Sequence, residues 1–147
     1  MPRSHPALFV ALLALLIPPP AAAVAPEPPT DRALALLSVP YASFLTAKRE
    51  DPAPPFDWST DGCSHAPGSW ARLFDGPCQQ HDFGYRNLGR GLRLQRTEDT
   101  RLWVDRRLLT ETRRVCAERR RGARRTLCDG RARAIYAAVR WFNAPWD

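Results

Sequence analysis

The chain has 147 residues, of which 44% are hydrophobic, and its formal net charge is +7 at pH 7. This length is enough for one domain and excludes two domains of ordinary size. The positive balance indicates an anionic partner, such as a membrane surface, a polyanion or an acidic substrate.

The first 25 residues have the pattern of a secretory signal peptide. A weakly basic start precedes an unbroken apolar stretch, Ala7–Ile17, and Ala23–Ala25 has the small–x–small form of a cleavage site. A retained membrane anchor is the alternative, but the stretch is shorter than the roughly 20 residues that a spanning helix needs. Cleavage would leave a secreted domain of residues 26–147, beginning with a proline-rich, disordered leader over residues 26–30. Export argues against a nucleic-acid partner.

The next segment predicts helix and then loop. Thr30 or Asp31 can cap a helix that runs to about Lys48. Pro40 lies inside this span and predicts a break or two short helices, because proline cannot donate the intrahelical hydrogen bond. The prolines in residues 49–69 then predict a loop.

A second helical region carries the most distinctive run of the sequence. It is expected to begin at about Trp70 or Pro77 and to reach Leu88. Gly89 and Gly91 follow directly and are typical of a helix end.

Two longer helices complete the predicted fold. Thr97 can cap a helix that reaches about Cys116 or beyond, and the last helix spans about Arg124–Phe142 before Pro145 stops it. The last helix is expected to bury an apolar set: Ala134, Ile135, Ala138, Val139 and Phe142. No alternating pattern of useful length predicts a strand, so the fold class is all-α.

Four cysteines in an exported chain indicate two disulfides. Sequence alone permits three pairings. The simplest joins nearest neighbours, Cys63 with Cys78 and Cys116 with Cys128.

Residues 78–87 read Cys-Gln-Gln-His-Asp-Phe-Gly-Tyr-Arg-Asn. Cys78, His81, Asp82 and Tyr85 are spaced i, i+3, i+4 and i+7, which places them on one helical stripe. A histidine there can exchange protons near neutral pH, and the carboxylate beside it can hold a cation. The run therefore predicts a helix that carries reactive groups on one face.

An upstream segment can complete a metal-assisted hydrolytic site. Residues 58–64 supply a carboxylate at Asp61, a permissive glycine at Gly62 and a cysteine at Cys63. Calcium prefers oxygen ligands, and glycine allows the dihedral angles that a backbone carbonyl ligand can require.

Asp105 is predicted to lie in the core seam of its helix. The seam has spacings of three and four residues: Leu102, Asp105, Leu109, Thr112 and Cys116. A carboxylate in such a seam needs a hydrogen bond or an opposite charge. Two alternatives remain open: a structural ion pair with Arg86 or Arg101, or a role in orienting the imidazole of His81.

Two segments closely resemble the prokaryotic and fungal secreted phospholipase A2 family. They are residues 57–64 (Asp-Trp-Ser-Thr-Asp-Gly-Cys-Ser) and residues 78–87, whose Cys-x-x-His-Asp-Phe-Gly-Tyr-Arg-Asn run is highly specific. The resemblance is strong over about residues 57–88 and looser over residues 97–142. It implies a small disulfide-stapled domain with two antiparallel central helices that carry the active site.

The resemblance also implies an activity and a role for each site residue. The activity is calcium-dependent hydrolysis of the sn-2 ester bond of glycerophospholipids at a membrane or micelle surface, and a monomer is expected. His81 resembles the general base and Asp105 the acid that orients it. Asp61 and Asp82 resemble the calcium carboxylates, and Gly62 would give the ion its backbone carbonyl. The cysteines match the two disulfides of the family, 63–78 and 116–128.

Two other functions fit parts of the sequence. Cys63, His65, Cys78 and His81 could form a tetrahedral zinc site, although exported cysteines usually oxidise. A non-catalytic cationic protein could bind anionic membranes through the arginine-rich residues 113–125, which could also be a solvated turn. Three tryptophans could insert at a membrane interface: Trp70, Trp141 and Trp146.

Overall fold

The computed structural model describes Met1, residues 27–52 and residues 54–146. Within these ranges the chain forms five α-helices and one π-helical turn, and no strand. The elements are α1 (Pro29–Ser38), α2 (Tyr41–Glu50), α3 (Gly68–Gly84), the π-turn (Tyr85–Gly89), α4 (Glu98–Arg119) and α5 (Gly122–Phe142). The fold is the small, disulfide-stapled all-α domain that was expected. No helix in the described ranges is long and apolar enough to cross a membrane.

The beginning of the described chain differs in part from the prediction. Beyond Met1, the predicted signal peptide lies outside the described residues. Pro29 and Thr30, which were expected in a disordered leader, instead form the first turn of α1. Proline is tolerated there because the first backbone N–H groups of a helix have no intrahelical acceptor. The break at Pro40 is confirmed, since this residue caps the separate helix α2.

Two buried polar side chains connect the short helices to the long ones. The Gln80 amide nitrogen donates to the carbonyl oxygens of Leu36, Leu37 and Val39, at the end of α1. Glu111 on α4 is fully buried and accepts a 3.1 Å hydrogen bond from the backbone N–H of Tyr41, at the start of α2. These bonds satisfy backbone groups that helix ends leave unpaired.

The helices α3 and α4 approach each other closely at Gly84. A Cβ atom at this glycine would lie 2.8 Å from a methyl carbon of Val104, so a larger residue would push the helices apart. Gly84 is one turn beyond His81, and Val104 directly precedes Asp105. The close approach therefore brings the two predicted catalytic residues within reach of each other.

The long helices α4 and α5 form a hairpin. The Thr97 side chain caps α4 by accepting a hydrogen bond from the Thr100 backbone N–H, as predicted. Two disulfides staple the domain, and they have the nearest-neighbour pairing: Cys63–Cys78 and Cys116–Cys128. The second links the end of α4 to the first turns of α5.

The predicted buried set of α5 was correct only in part. The two residues of α5 that are fully enclosed are Cys128 and Ala132. Ala134 is exposed, and Phe142 is 82% exposed. Ile135 and Val139 are half-buried and pack against the core, and they also border a cavity. Helical periodicity alone does not distinguish a stripe that is enclosed from one that partly borders a cavity.

The segment after α5 folds back over the π-turn. Trp146 is 3% exposed, so it belongs to the core and is not available for insertion at an interface. Its ring covers Gly89 and lies 4.8 Å from the ring of Tyr85, centroid to centroid. Its backbone carbonyl accepts a 2.7 Å hydrogen bond from Arg96.

Candidate active site

His81 and Asp105 form a buried pair between α3 and α4. The Nε2 atom of His81 lies 2.8 Å from Oδ1 of Asp105. Asp105 is fully buried, and His81 is 9% exposed and lines a cavity. Because the carboxylate engages Nε2, the other ring nitrogen, Nδ1, is the atom that remains for a molecule in the cavity.

Asp105 forms both of the contacts that were predicted as alternatives: it binds the His81 imidazole and it pairs with arginine. Oδ1 binds His81 and also accepts a 2.9 Å hydrogen bond from the Tyr85 hydroxyl. Oδ2 accepts a 2.9 Å hydrogen bond from Arg140 and lies 3.8 Å from Arg101. The suggested pairing with Arg86 was wrong, since its guanidinium lies 4.0 Å from Asp61 instead.

Arg140 connects the Asp105 carboxylate to a second acid at the start of α4. Its guanidinium donates to Asp105 and, at 2.6 Å, to Glu98. Arg101 holds Glu98 through two further bonds of 2.6 and 2.7 Å, and its hydrogen bond is the largest reason why the pKa of Glu98 is lowered to about 2. Two arginines and two carboxylates thus form a closed cluster of formal charge zero behind the histidine.

Tyr85 stays protonated and acts as a donor. Burial, followed by the negative charge of Asp105, raises the pKa of its phenol well above the usual value. Its hydroxyl can therefore hold the carboxylate in place without taking part in proton exchange at neutral pH. Tyr85 is on the predicted stripe, one turn after His81.

Asp82 organises the loop that carries Asp61 and Gly62. Its Oδ2 accepts hydrogen bonds from the Thr60 hydroxyl and from the backbone N–H groups of Asp61 and Gly62, the latter two at 3.1 Å. Burial is the main cause of the raised pKa of Asp82, the Thr60 bond opposes it, and the nearby charge of Asp61 adds to it.

Glycine suits position 62 on two grounds. Its φ is +63°, a left-handed conformation that side chains disfavour. A Cβ atom there would also lie 3.1 Å from Oδ1 of Asp75. The loop can therefore wrap tightly around Asp82 and keep Asp61 beside it.

Asn87 fixes the start of the same loop. This fully buried side chain accepts a 2.8 Å bond from the Asp57 N–H and donates 2.9 Å bonds to the carbonyls of Asp57 and Phe83. Sequence reasoning assigned it no role, although it ends the distinctive run. It also missed Arg140, for which the sequence carries no signal, because an arginine near the end of a helix usually faces water.

A cavity of about 440 Å³ opens beside His81. Its polar lining includes His81, Asp61 and Asp82, and Gly62 lies beside them. Its apolar lining includes Trp70, Leu108, Ala134, Ile135, Ala138 and Val139. Such a site joins reactive groups to a surface that fits an apolar ligand.

The zinc alternative was wrong. Both of its cysteines are in the Cys63–Cys78 disulfide, which leaves no thiolate for a metal. Across the described ranges, no group of three or more histidine, cysteine or acidic side chains is arranged to hold an ion. His65 lines the cavity without such partners.

Comparison with known proteins agrees with this geometry. A family model described as prokaryotic phospholipase A2 matches residues 30–143. A protein named secretory phospholipase A2 from Beauveria bassiana is 36% identical over 142 residues, covering 93% of this chain and 71% of that protein. Another of the same name from Arthroderma benhamiae is 44% identical over 79 residues, covering 52% of this chain and 49% of that protein.

Proposed function

The chain belongs to the prokaryotic phospholipase A2 family, and we propose that it hydrolyses the sn-2 ester bond of glycerophospholipids in a calcium-dependent reaction. It is a secreted phospholipase A2. The observation that carries the mechanism is the position of His81, between the buried Asp105 carboxylate and a cavity with an apolar wall.

His81 is the general base in this proposal. Its Nδ1 takes a proton from a water molecule in the cavity as that water attacks the ester carbonyl, and later returns the proton to the leaving alcohol. Asp105 holds Nε2, fixes the orientation of the ring and stabilises the imidazolium that forms. The Tyr85 and Arg140 bonds hold this carboxylate in one position.

Asp61, Asp82 and the Gly62 carbonyl are the proposed calcium ligands. All three supply the hard oxygen atoms that calcium prefers, and calcium tolerates water and substrate oxygens as further ligands. The two carboxylates also fit a cation because they repel each other, as the effect of Asp61 on the pKa of Asp82 indicates. When bound, calcium would supply positive charge against the substrate phosphate and the developing oxyanion.

The lining of the cavity supports the proposed class of substrate. The apolar wall contributed by α5 suits an acyl chain, whereas Arg86 and Arg90 line the same cavity and suit a phosphate. All these residues come from one chain, so a monomer is sufficient.

The test is fatty-acid release from mixed micelles of phospholipid labelled in the sn-2 acyl chain, with calcium and then with a calcium chelator. Release of labelled fatty acid that requires calcium, with lysophospholipid as the other product, is expected. Labelled lysophospholipid would refute sn-2 selectivity, and release in chelator would refute calcium dependence. No release from folded protein would instead favour the non-catalytic cationic protein.

A further inference from the structure

The helices α4 and α5 are joined by two arginines. α4 ends at Arg119 and α5 begins at Gly122, so Arg120 and Arg121 form the linker. Both linker residues have an extended backbone, with φ −138° and ψ 153° at Arg120 and φ −134° and ψ 157° at Arg121. An extended segment is the form in which a peptide pairs, through its main chain, with a cleft of another protein. The linker therefore offers two adjacent positive side chains on a backbone that such a cleft accepts.

The linker is also open to a large partner. Residues 121–127 are all exposed, and Arg120 is partly exposed. A Cβ atom at Gly122 would meet no other part of the described structure within 4 Å. The Arg121 guanidinium donates only to the carbonyl oxygens of Ala117 and Arg120, in exposed hydrogen bonds, and pairs with no carboxylate of the described residues. Its side chain can therefore leave these bonds for the pocket of a partner at little cost.

The first turn of α5 is weakly held. Arg121, which precedes it, forms no capping hydrogen bond through its side chain, and the turn contains no acidic residue. It carries Arg124 and Arg125 instead, whose charges lie near the positive end of the helix dipole. Leu127, in the next turn, is 60% exposed. Few interactions keep this end of α5 helical, so it can fray and lengthen the extended segment.

Paired basic residues occur elsewhere in the chain, but inside helices. These other pairs are residues 48–49 in α2, residues 106–107 and 113–114 in α4, and residues 124–125 in α5. Proteolytic enzymes cleave preferentially at exposed loop tips, where the backbone is free to enter their active sites. Among the described residues, the run at 119–121 is the one set of adjacent basic side chains that extends out of a helix. The fold therefore distinguishes this run from the others.

We propose that the Arg121–Gly122 peptide bond is a processing site for a secreted endoprotease that recognises paired basic residues. Hydrolysis adds one water molecule: the C–N bond breaks, Arg121 gains a carboxylate and Gly122 gains an amino group. The Cys116–Cys128 disulfide spans this bond, so the two products stay covalently linked. The product is a two-chain form of the same domain, in which α5 and Arg140 stay attached to α4.

The test uses the folded, oxidised protein and a serine endoprotease that cleaves after paired basic residues. A single cut is expected: a non-reducing gel shows one species, and a reducing gel releases residues 122–147, which begin with glycine. The double variant Arg120→Gln/Arg121→Gln should be cut at least about thirtyfold more slowly, because the charges that the protease binds are lost. The matched control is Arg106→Gln/Arg133→Gln, which removes the same charge from two exposed helical positions and should be cut as the wild type is.

A second variant tests whether fraying of α5 gives access to the bond. Arg124→Glu places an acidic residue in the first turn of α5 and leaves the linker pair intact. It is expected to slow cleavage of the folded protein by roughly threefold, because cleavage follows the population of the open form. After reduction, alkylation and unfolding, the variant and the wild type are expected to be cut at the same rate. This comparison separates helix stability from recognition by the protease.

Each result decides one part of the proposal. A folded wild type that stays uncut, or that is cut first at one of the helical pairs, would overturn the proposed site. Equal slowing of Arg124→Glu in the folded and unfolded proteins would overturn the role of fraying. Separation of the two products without a reductant would overturn the link through Cys116 and Cys128. Far-UV circular dichroism of the cleaved, oxidised protein is expected to match that of the intact protein, and a loss of helix signal would show that the domain does not survive the cut.

Discussion

His81 and Asp105 lie on neighbouring helices, and the distance from Nε2 to Oδ1 is 2.8 Å across 24 positions of sequence. The carboxylate of this pair has no exposure to solvent. Its second oxygen is held by Arg140, which comes from a third helix. The orientation of the imidazole therefore depends on the packing of α3, α4 and α5 together.

Removing either member of this pair should abolish most of the activity. His81→Ala is expected to lower kcat by at least about a hundredfold, because it removes the group that takes the proton of the attacking water, and to leave the fold intact. Asp105→Asn should also lower kcat strongly, because an amide cannot stabilise the imidazolium as a carboxylate does. Fatty-acid release and far-UV circular dichroism are the measurements. Full activity of folded His81→Ala would eliminate the mechanism.

Arg140 should act through Asp105. Arg140→Met is expected to lower kcat by about ten- to a hundredfold with little change in KM, because a hydrogen bond to a buried charge is lost. Arg140→Lys should recover part of the loss. The matched control is Arg133→Met, since Arg133 is exposed on the same helix and bonds to no described residue. Equal losses in both variants on monomeric substrate would contradict the assignment.

Calcium affinity should depend on the carboxylates of both Asp61 and Asp82. Asp61→Asn and Asp82→Asn are each expected to weaken calcium binding by at least about tenfold, because affinity follows the number of charged ligands. Isothermal titration calorimetry measures this. Asp99→Asn is the control, since Asp99 is exposed and does not line the cavity. Unchanged calcium affinity in Asp61→Asn or in Asp82→Asn would remove that residue from the proposed ligand set.

Glu98 should stabilise the fold in a pH-dependent way. Its pKa is lowered to about 2 from 4.5, first through the Arg101 hydrogen bond. A lowered folded-state pKa gives stabilisation that is present above about pH 4.5 and is lost as the pH falls toward 2. Glu98→Gln should therefore cost about 1 kcal/mol at pH 7, allowing for solvent at this one-third exposed carboxylate, and less at pH 3. Urea unfolding at both pH values is the measurement. An equal loss of unfolding free energy at pH 7 and at pH 3 would contradict this account.

Gly89 should tolerate no side chain. A Cβ atom there would overlap the Trp146 ring, so Gly89→Ala is expected to destabilise the fold by about 1–3 kcal/mol. Gly130→Ala is the control, because no atom lies near the corresponding position in α5, and alanine is a better helix former by about 1 kcal/mol. Thermal unfolding should move in opposite directions for the two variants. A shift of the unfolding temperature in the same direction in both variants would show that contact with Trp146 does not cause the effect of Gly89→Ala.

Local patterns predicted much of the fold. The Thr97 cap, the break at Pro40 and the burial of Asp105 each follow from a few neighbouring residues, and the structure has all three. The stripe that contains His81 and Tyr85 also follows from helical spacing, so the sequence alone predicts which face of α3 carries these side chains.

Relations between distant elements could not be read from the sequence. Arg140 reaches Asp105 only because α5 packs beside α4, and no spacing within α5 encodes that contact. The exposure of Ala134 and Phe142 on the apolar stripe of α5 was missed for a related reason. An apolar helix face is the same in sequence whether a core or an open cavity lies against it.

The two disulfides also determine how stability is distributed along the chain. They close short loops with sequence separations of 15 and 12 residues, and neither includes the segment that carries Arg140 and Trp146. That segment is held by the ion pairs of Arg140, by hydrogen bonds from Arg96 and Arg101 to the carbonyl oxygens of Trp146 and Asn143, and by packing of the Trp146 ring. We expect its amide protons to exchange with deuterium sooner than those around Cys116 and Cys128, as a separate cooperative unit. The catalytic pair would then lose its support through an opening that leaves both cross-links intact.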